Sequence, residues 1–225
     1  MRMRSSERGY TLIELMIGML VGLIVLSGVI YAMLLSLSSS RNVLNSTRLN
    51  QEISTLNDLI VGEVKRSGYW PASTATASPY TAGTEVALAV IGTDCVLYSF
   101  DMNGDQALAN TERKGFKLAS GAGGVGVIQH RQTGTAMDDC SNGTWQSITD
   151  DAFMDVTEFA VDCLITTLDG ASVASTAASA CGTASSGVVS IREVTISLEA
   201  EVISDPDWKG QFQDVVKVRN NEVID

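Results

Sequence analysis

The sequence predicts an α+β protein in which one long N-terminal helix, about residues 10–66, precedes an antiparallel β-sheet head. Three observations carry this. Residues 15–37 contain no charged side chain. Residues 41–67 contain no Pro and repeat apolar residues at spacings of three and four. Beyond Pro71, short Val- and Ile-rich segments are separated by Gly, Asn, Asp and Ser.

The apolar run follows a short leader, residues 1–9, in which Arg2, Arg4 and Arg8 face a single acid, Glu7. A helix rises about 1.5 Å per residue, so the charge-free run spans roughly 35 Å, enough to cross a bilayer's hydrocarbon core. Positive flanks stay cytoplasmic, so the chain beyond residue 37 is expected to face outward. One carboxylate, Glu14, stands at the start of the run. A charge at the centre of a membrane helix costs about 2.5–3.5 kcal/mol on insertion scales and less toward its end, yet it still needs a partner. A cut after Gly9 would give Tyr10 a free amine four residues from Glu14. The carboxylate could then neutralise its own terminus or that of a neighbouring copy. An acid in the first helical turn also suits the helix dipole.

Ser38-Ser39-Ser40 marks the exit from the apolar run. In the second half of the helix, Leu49, Ile53, Leu56, Ile60 and Val64 form a stripe, with Val43, Leu44 and Leu59 beside it. The charged residues fall mostly off the stripe, which is the pattern of a helix packed under a globular domain. Gly18, Gly22 and Gly28 each cost up to about 1 kcal/mol of helix stability relative to Ala and allow close helix approach. Gly68 followed by Pro71 ends the helix. The chain thus divides into a leader (1–9), an apolar helix (10–37), an amphipathic helix half (38–67) and a β-rich head (68–225).

In the head, residues 72–84 read as a loop, and strands are expected at 85–91, 95–100, 115–118, 125–131, 145–148, 156–168, 188–202 and 212–219. Gly121 to Gly124 is the turn of a hairpin over 115–131, and 150–154 is a candidate helical turn. Residues 169–187, rich in Ala, Ser, Thr and Gly, read as a flexible excursion held by Cys181. The apolar alternation of 188–202 slips phase near Arg192, which suggests a bulge, and Asp205-Pro206-Asp207 reads as a turn.

The formal charge is −11, and loss of the leader's three Arg and one Glu takes it to −13. So acidic a chain, without a basic patch interleaved with aromatics, is not expected to bind nucleic acid by itself. The four cysteines, Cys95, Cys140, Cys163 and Cys181, form no C-x-x-C pair, which argues against zinc or thioredoxin chemistry. An even count in an exported head favours two disulfides. Three connectivities are open. Cys163 with Cys181, closing the Ala/Ser/Thr-rich stretch, is the favoured one, and it leaves Cys95 with Cys140.

The stretch Arg8-Gly9-Tyr10-Thr11-Leu12-Ile13-Glu14-Leu15-Met16-Ile17-Gly18 resembles the type IV prepilin signature. The resemblance implies that a membrane prepilin peptidase cleaves between Gly9 and Tyr10 and methylates the new amine of Tyr10. It also implies that Glu14 pairs with the N-terminal amine of an adjacent subunit during assembly. Tyr10 stands where Phe is usual, with the ring retained. Tyr31 stands where many major pilins have a Pro, which points to a minor subunit. Further along, Arg66-Ser67-Gly68-Tyr69, Cys95 to Asp101, Glu112 to Leu118 and Val218-Arg219-Asn220 together resemble PilW-type minor pilins, relatives of the J pseudopilin of type II secretion. This implies a low-abundance subunit that primes pilus assembly near the tip. Its partners would be other minor pilins, the major pilin and the inner membrane. Its head would be periplasmic before assembly and on the cell surface afterwards.

Other constellations carry less. Asp101, Asn103, Asp105 and Glu112 place oxygens at positions 1, 3, 5 and 12 of a calcium loop, but the Gly falls at position 4 instead of 6 and strands flank the loop. An acidic turn cornered by Asn103-Gly104 is the competing reading, and no other cofactor is expected. His130 is the only histidine and has no nucleophile or orienting acid at motif spacing, so no enzyme is expected. Asp138-Asp139 and Asp150-Asp151 read as solvated turns, and Trp70, Trp145 and Trp208 as packing anchors. Three rivals to the minor pilin are the J pseudopilin, a membrane-anchored adhesin or hydrolase, and an ordinary signal peptide cut near Ser36-Leu37-Ser38.

Overall fold

The computed structural model describes residues 10–71, 78–80, 85–169, 172–178, 181, 189–218 and 222–223. Helix α1 runs Leu12–Val64. The strands are β1 (Leu88–Ile91), β2 (Cys95–Ser99), β3 (Arg113–Ser120), β4 (Gly126–Thr133), β5 (Thr144–Ser147), β6 (Met154–Asp169), β7 (Ser172–Ala178), β8 (Val189–Val202), β9 (Asp205–Lys217) and β10 (Glu222–Val223). The chain separates into two units, one ending at Asn45 and one beginning at Ser46.

In the first unit every described apolar side chain of the charge-free run is exposed. The second unit holds the rest of α1 and the head. There Leu49, Ile53, Leu56, Ile60, Val61 and Val64 are buried. Fully burying such a side chain is worth about 1.5–3 kcal/mol, so this stripe is a principal hold of helix on head. Leu59 and, before the boundary, Val43 and Leu44 remain exposed. Beyond Val64 the chain turns away from the helix and reaches Gly68, whose φ of 72° suits glycine and whose N–H donates to Ser99 O at 2.8 Å.

The expected antiparallel sheet is present as two. Sheet A is a meander, β1-β2-β3-β4-β5. Sheet B has β7, β6 and β8 in order, and β8 pairs β9 and β10 in succession along its other edge. The hairpin of β3 and β4 turns at Gly121 to Gly124 as its glycines require, with φ of 69° at Gly123 and 87° at Gly124. Phe116 and Ile128 from sheet A, and Val161, Val194, Ile196 and Leu198 from sheet B, join the helix stripe in one core. Gly210 on β9 has no room for a side chain, because Ile53 and Leu49 lie against it. A satellite cluster of Ala89, Cys95, Leu97 and Met137 packs on sheet A.

Three expectations are corrected. Residues 172–178, expected within a flexible excursion, form β7 and pair with β6 from Asp169↔Ser172 to Cys163↔Ala178. Small residues carry a weak strand signal, but the long free edge of β6 supplies the ladder; residues 179–180 and 182–188 lie outside those described. There is no bulge at Arg192, which stays in register with Ile165; the slip between β6 and β8 falls between Val156 and Glu158. Arg192 occupies a buried inward position in line with Val194 and Ile196, so a charged residue on the apolar face imitated a phase change. The turn before β9 is Ile203-Ser204, with Asp205 already in the strand. The single helical turn expected at 150–154 is present: the N–H groups of Phe153 and Met154 both donate to Asp150 O, at 3.1 and 3.0 Å.

Asn57 is the polar residue of the buried helix face, 1 % exposed, and neither its Oδ1 nor its Nδ2 has a partner among the described residues. Asn57→Leu is therefore expected to stabilise the head by about 1 kcal/mol. The check is urea unfolding, where the midpoint should rise at unchanged slope.

Candidate functional site

Tyr10 and Thr11 precede the helix, and Tyr10 is 81 % exposed. Thr11 caps it: the N–H of Glu14 donates to Thr11 Oγ1 at 3.3 Å and to Thr11 O at 3.1 Å. Thr11-Leu12-Ile13-Glu14 is a Ser/Thr-x-x-Glu capping pattern, a start signal that the sequence reading passed over. With its backbone satisfied in this way, Glu14 keeps its carboxylate without a partner among the described residues. Downstream, an 18-residue window has a mean hydropathy of 2.5 and none of it is buried. The site is therefore an exposed apolar rod with one acid at its capped end. The leader, including Gly9, lies outside the described residues.

The acidic turn is built from the inside. Asp101 and Glu112 are buried. Asp101 accepts the N–H groups of Gly104 at 2.6 Å and Gln106 at 2.8 Å. Glu112 accepts those of Met102 at 2.8 Å, Asn103 at 3.3 Å and Ala109 at 2.9 Å. Asn103 and Asp105 bond each other, and Asp105 also takes the N–H of Ala107. The oxygens counted as calcium ligands are thus committed to the loop's own amides. Among the described residues no three His, Cys, Asp or Glu gather as a metal set.

Comparison with known families decides the matter. A model described as the prokaryotic N-terminal methylation motif matches residues 4–30. A second, described as prepilin peptidase-dependent protein B, matches residues 42–218, most of the chain. The chain belongs to the prepilin peptidase-dependent protein B family. No curated protein and no solved structure matches it. As a member of that family carrying a methylation motif, it is a pseudopilin or minor pilin in the general sense and a substrate of prepilin peptidase. The apolar helix with its prepilin signal is consistent with membrane anchoring.

In this member of the family, the disulfides join Cys95 to Cys140 and Cys163 to Cys181. His130 is half-buried and engaged on both ring nitrogens. Tyr98 Oη lies 3.4 Å from Glu63 Oε2 and 3.3 Å from His130 Nε2, and Gln132 Nε2 lies 3.1 Å from His130 Nδ1. A carboxylate only accepts, so the single phenol proton goes to Glu63. His130 then donates from Nε2 and accepts at Nδ1. Burial, with Lys114 nearby, lowers the His130 pKa and favours this neutral form. Burial, reinforced by Glu63, raises that of Tyr98. The chain of bonds ties the end of α1 to sheet A. A groove of about 410 Å³ between α1 and the β5–β6 turn has Leu56, Leu59, Ile148 and Met154 as its apolar lining. Its two carboxylates, Glu52 and Asp150, are both held by Arg48 at 2.7 Å.

Proposed function

We propose that this chain is a structural minor pilin that primes type IV pilus assembly near the tip. Its partners are other minor pilins and the major pilin. Its head is periplasmic before assembly and lies on the pilus afterwards. The observation that carries the reading is the capped, exposed apolar helix segment with one acid, Glu14, that has no partner among the described residues. Packing such a rod against sister helices replaces lipid contacts, and pairing Glu14 with the amine of a processed Tyr10 removes the one costly charge. The residues quoted for the PilW resemblance favour a pilus over a secretion apparatus. The head carries out no chemistry in this reading: His130 is locked in its network and the groove acids are taken by Arg48.

The test replaces the wild-type protein with Glu14→Ala. Insertion and cleavage are expected to be normal, with N-methyltyrosine at position 10 by mass spectrometry. Recovery in sheared pili is expected to fall about tenfold or more, equivalent to about 1.4 kcal/mol per contact. Normal recovery would remove the role given to Glu14. A secretion defect with intact piliation would instead point to the J pseudopilin. An ectodomain still active on an unrelated anchor would point to an adhesin or hydrolase. We also propose that the acidic turn works without calcium: millimolar calcium should leave the unfolding temperature unchanged, and a rise would restore the metal reading.

A further inference from the structure

The sequence contains two Asn-Gly pairs, Asn103-Gly104 and Asn142-Gly143. In such a pair the backbone nitrogen of the glycine can close on the asparagine amide, because glycine puts no side chain in the way. The fold treats the two pairs differently. Asn103 donates from Nδ2 to Asp105 Oδ2 at 2.8 Å, and its Oδ1 accepts the N–H of Asp105 at 3.0 Å. The N–H of Gly104 is committed to Asp101 Oδ1 at 2.6 Å. Ionising that N–H beside a carboxylate is disfavoured, and an acid formed at position 103 would join Asp101, Asp105 and Glu112.

At Asn142 each of these conditions is reversed. Its Oδ1 accepts from Arg131 Nη2 at 2.8 Å, from the N–H of Thr135 at 2.9 Å and from Thr135 Oγ1 at 3.1 Å. Neither Asn142 Nδ2 nor the N–H of Gly143 has a partner among the described residues. The side chain folds back along the residue that follows it. A Cβ built on Gly143 would stand 2.8 Å from Arg131 Nε, and Nε shares one edge of the guanidinium with Nη2, which holds Oδ1. Gly143 is exposed, so water and base reach its nitrogen. Arg131 is fully buried, and its Nε and Nη1 have no acceptor among the described residues.

We propose that Asn142 is a site of self-catalysed deamidation, with the donors of Arg131 and Thr135 as its oxyanion hole. The Gly143 nitrogen gives its proton to solvent base and attacks Asn142 Cγ. The charge that develops on Oδ1 falls where the donors already point. The Cγ–Nδ2 bond then breaks, and the amine leaves as ammonia, taking a proton from water and so restoring the base. Water opens the resulting succinimide to aspartate or isoaspartate at position 142. In sum, water is consumed and ammonia is released. The aspartate product sets a counter-charge against a buried cation that meets only a neutral amide beforehand.

The test uses the full chain in detergent micelles, held at mildly alkaline pH and then digested with pepsin at acid pH to stop the reaction. Mass spectrometry of the peptides reports both pairs at once. In the folded chain Asn142 is expected to convert about tenfold faster than Asn103, and in urea the two rates should come within about threefold of each other. Thr135→Val, at an exposed position, removes one donor and should slow Asn142 about tenfold while leaving Asn103 unchanged. Asn142→Asp, the product made directly, should raise the urea midpoint of the head. The proposal is overturned if Asn142 converts no faster than Asn103 in the folded chain, if its lead persists in urea, or if Thr135→Val leaves its rate unchanged. A lowered midpoint in Asn142→Asp would overturn the counter-charge.

Discussion

Replacing Cys95 and Cys140 together by serine is expected to cost the head about 4 kcal/mol, from the loop-closure entropy of a link across 45 residues. The bond joins the start of β2 to the loop between β4 and β5, and it packs with Ala89, Leu97 and Met137. Without it the unfolded chain regains freedom and that loop loses its tie. The same change at Cys163 and Cys181, 18 residues apart, should cost less, about 3 kcal/mol. Denaturant unfolding of the two double variants checks both the sizes and their order. Equal losses would mean that strain or residual structure, and not loop length, sets the effect.

The second large effect is expected at Glu112. Its carboxylate takes three backbone N–H groups across the acidic turn while its residue is 3 % exposed. Glu112→Ala leaves those donors without an acceptor, for a loss of about 3 kcal/mol. Glu112→Gln keeps one acceptor oxygen and should lose roughly half as much. Asp105→Ala, on the exposed side of the same turn, should cost less than about 1 kcal/mol. If all three variants unfold alike, the buried carboxylate does not organise the loop.

The helix was legible because its signal is local. Leu49, Ile53, Leu56, Ile60 and Val64 recur on one face, and those residues are buried. Gly68 and Pro71 announce its end, and the prepilin stretch announces the start. What escaped depended on neighbours. Arg192 reads as a slip in alternation because a charge on the inward face is invisible to a count of apolar residues. Strand β7 exists because β6 offers it an edge, which Ser, Ala and Thr do not advertise. Asp101 and Glu112 have the spacing of a metal loop and equally of an acidic turn, and the N–H groups bonded to their carboxylates are not visible in that spacing. Asn57 sits on the helix stripe, where burial of an unpaired amide has no sequence signature.

The Thr11 cap also bears on how the precursor is cut. Proteases take their substrates in extended form, and among the described residues the first backbone turn of α1 is closed by Thr11. Tyr10 lies ahead of the helical ladder, which begins at the carbonyl of Thr11. A cut ahead of Tyr10 would therefore leave the described helix as it stands, with its cap and its apolar segment both on the retained side.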